Sequence, residues 1–171
     1  GTLLHQISAQ SDFLLNQNNV EIRIAAIADS KKMIFHEDGI SLKDWRKSLA
    51  RSSEKMEMKK FIEKMRMMNL RNSVFVDCTA NETVSREYAG ILQSSIAVVT
   101  PNKKANSGRL RDYRNLKEIS QRRNVKFFYE TNVGAGLPVI STLNDLLKSG
   151  DRILKIEAVL SGTLSFLFNS F

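Results

Sequence analysis

The residues best suited to chemistry in this 171-residue sequence sit at the ends of short apolar runs. The stretch "VVTPNKKANS" (98–107) breaks at Pro101 and delivers Asn102, Lys103 and Lys104 side by side. Two adjacent ammonium groups repel. The pair is either two solvated charges, or one solvated charge beside a lysine that faces a ligand. From position alone either lysine is eligible. An ammonium group at a strand end can stabilise charge that develops on a substrate oxygen. The stretch "YETNVGAGLP" (129–138) ends a strand on Glu130, sets Gly134 and Gly136 around Ala135, and brings Pro138 to a helix start. Backbone N–H groups of such a loop can bind an anion. Its carbonyls plus the carboxylate can equally form an oxygen cage for a hard cation. The simplest reading is a tight turn that needs glycine.

Two further strand ends carry candidates. In "ADSKK", Asp29 suits the ribose hydroxyls of NAD, whereas Ser30 and Lys31 suit the 2′-phosphate of NADP. Both features are present, so cofactor choice stays open. In "DCTAN", the small residues Thr79 and Ala80 would let a cofactor lie close to the backbone. Cys78 reads as a strand-core residue rather than a nucleophile, because nothing beside it in the sequence would activate a thiol.

The elements that position these residues alternate. Residues 2–17 set Leu3, Leu4, Ile7, Leu14 and Leu15 near one helical face, and "NN" (18–19) ends that helix. "VEIRIAAIAD" (20–29) reads as a strand and "SKKMIFHEDG" as a polar loop. In "SLKDWRKSLA", Ser41 can cap a helix with Asp44 at the capping-box position. Residues 54–69 are helical, with a methionine stripe expected in the core. "SVFVDCTA", "IAVVT" and "VKFFYET" are strands, the first of a continuously apolar kind expected when both faces are buried. Helices fall between them, one opened by an Asn81 cap. "GLPVISTLNDLLKSGD" is a helix with proline in its first turn and Gly150 just past its end. "RILKIEAVL" should be a strand, followed by an "SGT" turn and another apolar segment. Short βαβ connections indicate an α/β fold with a doubly wound parallel sheet.

Bulk properties narrow the class. The 26 Lys+Arg against 18 Asp+Glu leave a net charge of +8, which raises anionic partners. The excess is scattered over separate elements without an aromatic platform, which argues against nucleic acid. One cysteine excludes an internal disulfide framework and fits a reducing compartment. Two histidines, His5 and His36, are too few and too far apart for a His-based metal site. Apolar runs of about 18 residues are absent, so no membrane span is expected. Nor do the first residues read as a signal peptide. The expectation is a soluble, cytoplasmic protein.

Taken together and in order, "VDCTA" (76–80), "VVTPNKKANS" (98–107), "YETNVGAGLPVI" (129–140) and "LSGTLSFLFN" (160–169) resemble homoserine dehydrogenase. "IADSKKM…GISLKDWRKSL" further resembles the form fused to aspartokinase. The resemblance implies interconversion of L-homoserine and L-aspartate 4-semialdehyde with NADP or NAD, on the threonine and methionine branch. It implies a Rossmann-type domain lacking its first strand over residues 1–138. Residues 139–171 would then begin an α+β substrate and dimerisation domain. Partners so implied are the small-molecule substrate, a fused aspartokinase and further copies of the chain.

The resemblance also assigns roles. Gly1 corresponds to the last glycine of a G-x-G-x-x-G turn, and Thr79 and Ala80 to the segment lining the cofactor. Lys103 corresponds to the lysine associated with cofactor and reacting carbonyl, leaving Lys104 as its solvated neighbour. Glu130 with the carbonyls of Val133, Ala135 and Leu137 corresponds to a monovalent cation site, usually sodium. Gly162 and Thr163 correspond to the turn that contacts the amino-acid substrate. The family's acidic substrate-binding segment and its proton-transferring lysine have no counterpart in these 171 residues. The chain is therefore expected to be part of a longer polypeptide and inactive alone. The alternatives are a non-catalytic cofactor-binding or regulatory piece, or another amino-acid or semialdehyde dehydrogenase on the same scaffold.

Overall fold

A computed structural model describes residues 1–159 and 161–170, in two compact units, one of residues 1–71 and one of the described residues from Asn72 onward. In the first unit, α1 (Thr2–Asn18) ends at Asn19, whose left-handed backbone lets its N–H reach the carbonyls of Leu14 and Leu15. Of the predicted apolar face, Leu4, Ile7 and Leu14 are half-buried and Leu3 and Leu15 exposed. The 20–29 region differs from expectation. Its ladder covers only β1 (Ala26–Ala28), which pairs antiparallel with β2 (Met33–Phe35) inside the segment read as a loop. The intervening Asp29 closes the hairpin: its Oδ1 accepts the N–H groups of Lys31 and Lys32 at 2.7 and 2.8 Å.

The capping box at Ser41 and Asp44 does not form. Residues 42–44 make turns and α2 (Trp45–Arg51) starts from Asp44 with no side-chain cap. In α3 (Met58–Met68) the core positions are Phe61 and Ile62, not the methionines; Met67 is exposed. Phe61 packs on Phe35 with ring centroids 4.9 Å apart, beside buried Ile27, Met33 and Leu49.

The second unit carries the parallel sheet. Strands β3 (Val74–Val76), β4 (Ala97–Val99) and β5 (Phe127–Phe128) pair in sequence order. Their crossovers are α4 (Glu82–Ser85) with α5 (Tyr88–Gln93), then α6 (Leu110–Arg123). Asn81 caps α4 as expected, its side chain accepting the Thr83 N–H at 2.7 Å. One face of the sheet, with Phe75, Val98 and Phe127, is buried with Ile91, Leu92, Leu116 and Ile119 of α5 and α6. Burying a side chain of this size contributes about 1.5–3 kcal/mol.

The opposite face corrects the two-sided burial expected of β3. Val74, Val76 and Phe128 are exposed there, and Cys78 continues the same alternation. Cys78 is therefore not a core residue. Partial desolvation and the neighbouring Asp77 carboxylate push its thiol upward, so it is no activated nucleophile either.

Two helices follow. α7 (Val139–Lys148) has Pro138 at its N-cap, and Gly150 beyond its end has a φ of +92°. Residues 151–159 form no ladder, against expectation, and Leu154 is 94% exposed. A strand exists only where a neighbour accepts and donates its backbone hydrogen bonds, and none of the described residues does so here. α8 (Gly162–Ser170) completes the described chain. Among the described residues no helix is long and apolar enough to cross a membrane.

Candidate functional site

Register builds the site. Val76 pairs with Val99, and Val99 with Phe128, so Asp77, Thr100 and Tyr129 emerge together at the carboxyl edge of the sheet. The backbone continues the ladder one residue further: Asp77 N–H donates to Val99 O at 3.1 Å and Thr100 N–H to Phe128 O at 2.9 Å. Because side chains alternate along a strand, Val76 faces out and Asp77 faces in. Asp77, Thr100 and Asn102 are each 2% exposed, and Tyr88 of α5 is fully buried.

These four side chains form one hydrogen-bonded cluster. The Tyr88 hydroxyl donates to Asp77 Oδ2 at 2.5 Å and lies 2.9 Å from Thr100 Oγ1. Thr100 Oγ1 donates to the Asp77 carbonyl at 3.0 Å and accepts the Asn102 N–H at 2.8 Å. Asn102 Nδ2 donates to Asp77 Oδ2 and to the Asn81 carbonyl, both at 2.9 Å. Asp77 Oδ1 accepts the Thr79 N–H at 2.7 Å. A buried polar group costs free energy unless it is paired, and here the pairing is dense.

Burial, then the Asp77 hydrogen bond, pushes the Tyr88 hydroxyl well above the ordinary tyrosine range. The folded state thus holds this proton more tightly than the unfolded chain. Its contribution to stability is complete below the unfolded value near pH 10 and is lost as pH rises beyond it. Denaturant midpoints measured from pH 8 to 12 should fall through that window, and Tyr88→Phe should flatten the fall.

The Lys103 turn stands on this cluster. Residues Lys103–Ala105 form a 3-10 turn capped by Asn102, whose side chain accepts the Lys104 N–H at 3.1 Å. Both lysines are exposed, and neither makes an ion pair among the described residues. They differ in surroundings. The Arg86 hydrogen bond and charge hold the Glu82 carboxyl below its usual range, with a further contribution from Lys104. Lys104 therefore shares its field with a carboxylate of α4.

The glycine loop joins the same edge. Asn132 Nδ2 donates to the Thr100 carbonyl at 3.1 Å, and Asn106 Nδ2 donates to Asn132 Oδ1 at 3.0 Å. Asn106 Oδ1 is buried without a partner among the described residues. Glu130 opens a short 3-10 turn, and its Oε1 and Oε2 accept the N–H groups of Ile140 and Ser141, each at 2.8 Å. A carboxylate there answers the exposed donors and positive end of α7. Gly134 has a φ of +71°, and a Cβ at that position would lie 2.9 Å from Val139 Cγ2, so glycine is required. Ala135 also has positive φ, at 52°. The oxygens of Glu130, Val133, Ala135 and Leu137 thus belong to one loop of eight residues, 130–137.

The remaining predicted residues are placed as follows. Thr79 and Ala80 are exposed just beyond β3. Asp29, Ser30 and Lys31 form the exposed hairpin turn of the first unit, where the two backbone hydrogen bonds hold the Asp29 carboxyl below its ordinary value. Gly1 is the N-cap of α1. Gly162 is exposed at the start of α8; the Thr163 side chain lies outside the described residues. Among the described residues no group of three His, Cys, Asp or Glu could hold a metal. Sequence reasoning missed Asp77, Tyr88, Thr100, Asn102, Asn106 and Asn132. The one available signal was Asp77 itself, a carboxylate at the end of an apolar run.

Comparison with known proteins places this arrangement. The model of the homoserine dehydrogenase NAD-binding domain matches residues 2–130, and the homoserine dehydrogenase model matches residues 138–171. The chain is 45% identical to the chloroplastic bifunctional aspartokinase/homoserine dehydrogenase 1 of Arabidopsis thaliana, covering 100% of itself and 19% of that protein. It is 32% identical to the homoserine dehydrogenase of Schizosaccharomyces pombe, covering 99% of itself and 45% of the relative. A hyperthermophilic archaeal homoserine dehydrogenase mutant, solved in complex with NADPH, shares the fold. Its TM-score is 0.65 at 24% identity, covering 85% of this chain and 45% of that one. The chain thus spans about a fifth of the bifunctional relative's length and under half of the monofunctional one's. With both family models matched in order along its length, the chain belongs to the homoserine dehydrogenase family.

Proposed function

We propose that this chain supplies the nucleotide-binding part, and the beginning of the substrate-binding part, of an NAD(P)-dependent enzyme that interconverts L-homoserine and L-aspartate 4-semialdehyde. The observation that carries this reading is the Lys103 turn. It sits on a buried polar cluster at the carboxyl edge of a parallel sheet, where ligands of such sheets bind. The family matches at 2–130 and 138–171 support a division into a partial nucleotide domain (1–138) and the start of a substrate and dimerisation domain (139–171). The reaction belongs to threonine and methionine formation. The relatives' names support fusion to an aspartokinase, and on this reading the intact polypeptide is a homo-oligomer. The single exposed cysteine fits a reducing compartment, cytoplasmic on this reading.

The chemistry of the residues fits a dinucleotide. Small, exposed Thr79 and Ala80 leave the backbone beyond β3 open to close approach, and Gly1 opens α1 with bare N–H groups. At the hairpin turn, Asp29 faces ribose hydroxyls or, with NADP, Ser30 and Lys31 take the 2′-phosphate. The bound cofactor would supply or accept the hydride. This chain's Lys103 orients the cofactor, and its ammonium polarises the carbonyl and stabilises the negative charge that appears on the substrate oxygen. Gly162 and Thr163 bind the amino-acid end of the substrate. The all-oxygen donor set of Glu130, Val133, Ala135 and Leu137 suits a hard monovalent cation, taken to be sodium.

Two measurements test the reading in the intact polypeptide that carries this chain. Turnover with NADP or NAD should be selective for L-homoserine within a panel of hydroxy and amino acids; an equal rate on another member would reassign the substrate. Replacing sodium by tetramethylammonium should lower activity and reduce hydrogen-exchange protection of the Ile140 and Ser141 amides. No response of either would remove the cation from the account.

A further inference from the structure

Asp77 is a buried carboxylate with no ion-pair partner among the described residues. Among the described residues its carboxylate oxygens are met by hydrogen-bond donors: the Thr79 N–H, the Tyr88 hydroxyl and Asn102 Nδ2. Two of these donors lead directly to the ligand edge. Thr79 N–H belongs to the turn that carries Ala80 and Asn81, whose carbonyl also accepts from Asn102. Asn102 uses both ends of its side-chain amide and its own N–H: Nδ2 on Asp77 and Asn81, Oδ1 on Lys104 N–H, and the backbone N–H on Thr100. Asn102 is therefore locked at one end to Asp77 and at the other to the turn that presents Lys103.

A neutral amide would do the fold-level task of filling this space, since aspartate and asparagine are nearly isosteric. It would not do the hydrogen-bonding task. Asp77 accepts at every contact, and an amide offers one oxygen and one NH₂ group. The NH₂ would meet Asn102 Nδ2 or the Thr79 N–H, donor against donor.

We propose that Asp77 is a positioning residue for the reaction, acting through Asn102 to fix the Lys103 turn relative to the Thr79–Ala80 turn. The inference rests on the reading of Lys103 given under Proposed function. A displacement of about 1 Å in a reacting group can lower a rate on the order of 100-fold. A carboxylate shared by two adjacent strand ends limits such displacement between them.

A double-mutant cycle of Asp77→Asn and Lys103→Ala in the intact polypeptide tests this. Asp77→Asn alone should lower kcat about 10- to 100-fold while KM for L-homoserine changes by less than about threefold. In the Lys103→Ala background, Asp77→Asn should change kcat by less than about threefold, because the group it positions is gone. A purely structural role lowers the active fraction in both backgrounds alike, so a full-sized second effect overturns the proposal. If Lys103→Ala leaves kcat/KM unchanged, the catalytic reading of Lys103 fails and this inference falls with it. A loss on Lys103→Ala with an additive Asp77→Asn sinks the inference alone. If Asp77→Asn does not accumulate folded, Asn102→Ser carries the same cycle with the same expected coupling and the same overturning result.

Discussion

Lys103→Ala in the intact polypeptide should lower kcat/KM for L-homoserine about 10²- to 10³-fold, the loss typical of removing one preorganised group from a developing oxyanion. The structure directs the effect to chemistry rather than folding. The Lys103 side chain is exposed and no ion pair or hydrogen bond of its ammonium is seen among the described residues, so the turn keeps its Asn102 cap without it. Substitution at such a position changes stability by about 0.5 kcal/mol or less. Lys104→Ala is the internal control: it shares the turn and the charge but faces the Glu82 field, and changes kcat/KM less than about threefold. Steady-state kinetics of both variants decides between the lysines. Equal losses would mean that the pair acts only as a patch of positive charge.

The second large effect is on stability. Tyr88 is fully buried, edge-on to Phe75 and Phe127 at centroid distances of 6.5 and 6.0 Å, with its hydroxyl inside the polar cluster. Tyr88→Ala removes ring packing and hydrogen bonds together and costs about 3–5 kcal/mol. Tyr88→Phe keeps the ring but takes one donor from Asp77 and one partner from Thr100, costing about 1–3 kcal/mol. Hydrogen exchange at the Val98 and Thr100 amides reads this locally, since both donate across to the β5 side of the sheet. If the two variants lost equal protection, the ring would contribute nothing beyond its hydroxyl and the packing account would be wrong.

The parallel sheet was legible because each strand ran from apolar residues into a polar break: "SVFVDCTA", "IAVVT" and "VKFFYET" contain β3, β4 and β5. The β2 strand was not, because Met33–Phe35 is three residues between lysines and a histidine, too short for alternation to show. Residues 151–159 carry a strand pattern but form no ladder, since propensity describes a surface and pairing needs a neighbour. Cys78 was misread because β3 buries only one face, and which face is a tertiary fact. The resemblance named residues expected to meet ligands. It assigned no role to Asp77, Tyr88 or Asn102; Tyr88 and Asn102 lie 11 and 25 positions from Asp77, and only the packing of α5 and the register of β3 and β4 bring them together.

The proposed reaction is tested by giving the intact polypeptide L-aspartate 4-semialdehyde and NADPH and identifying the product. NADPH should be consumed only when the semialdehyde is present, with L-homoserine formed in equal amount. NADPH that binds but is not consumed, or a product other than L-homoserine, would contradict it.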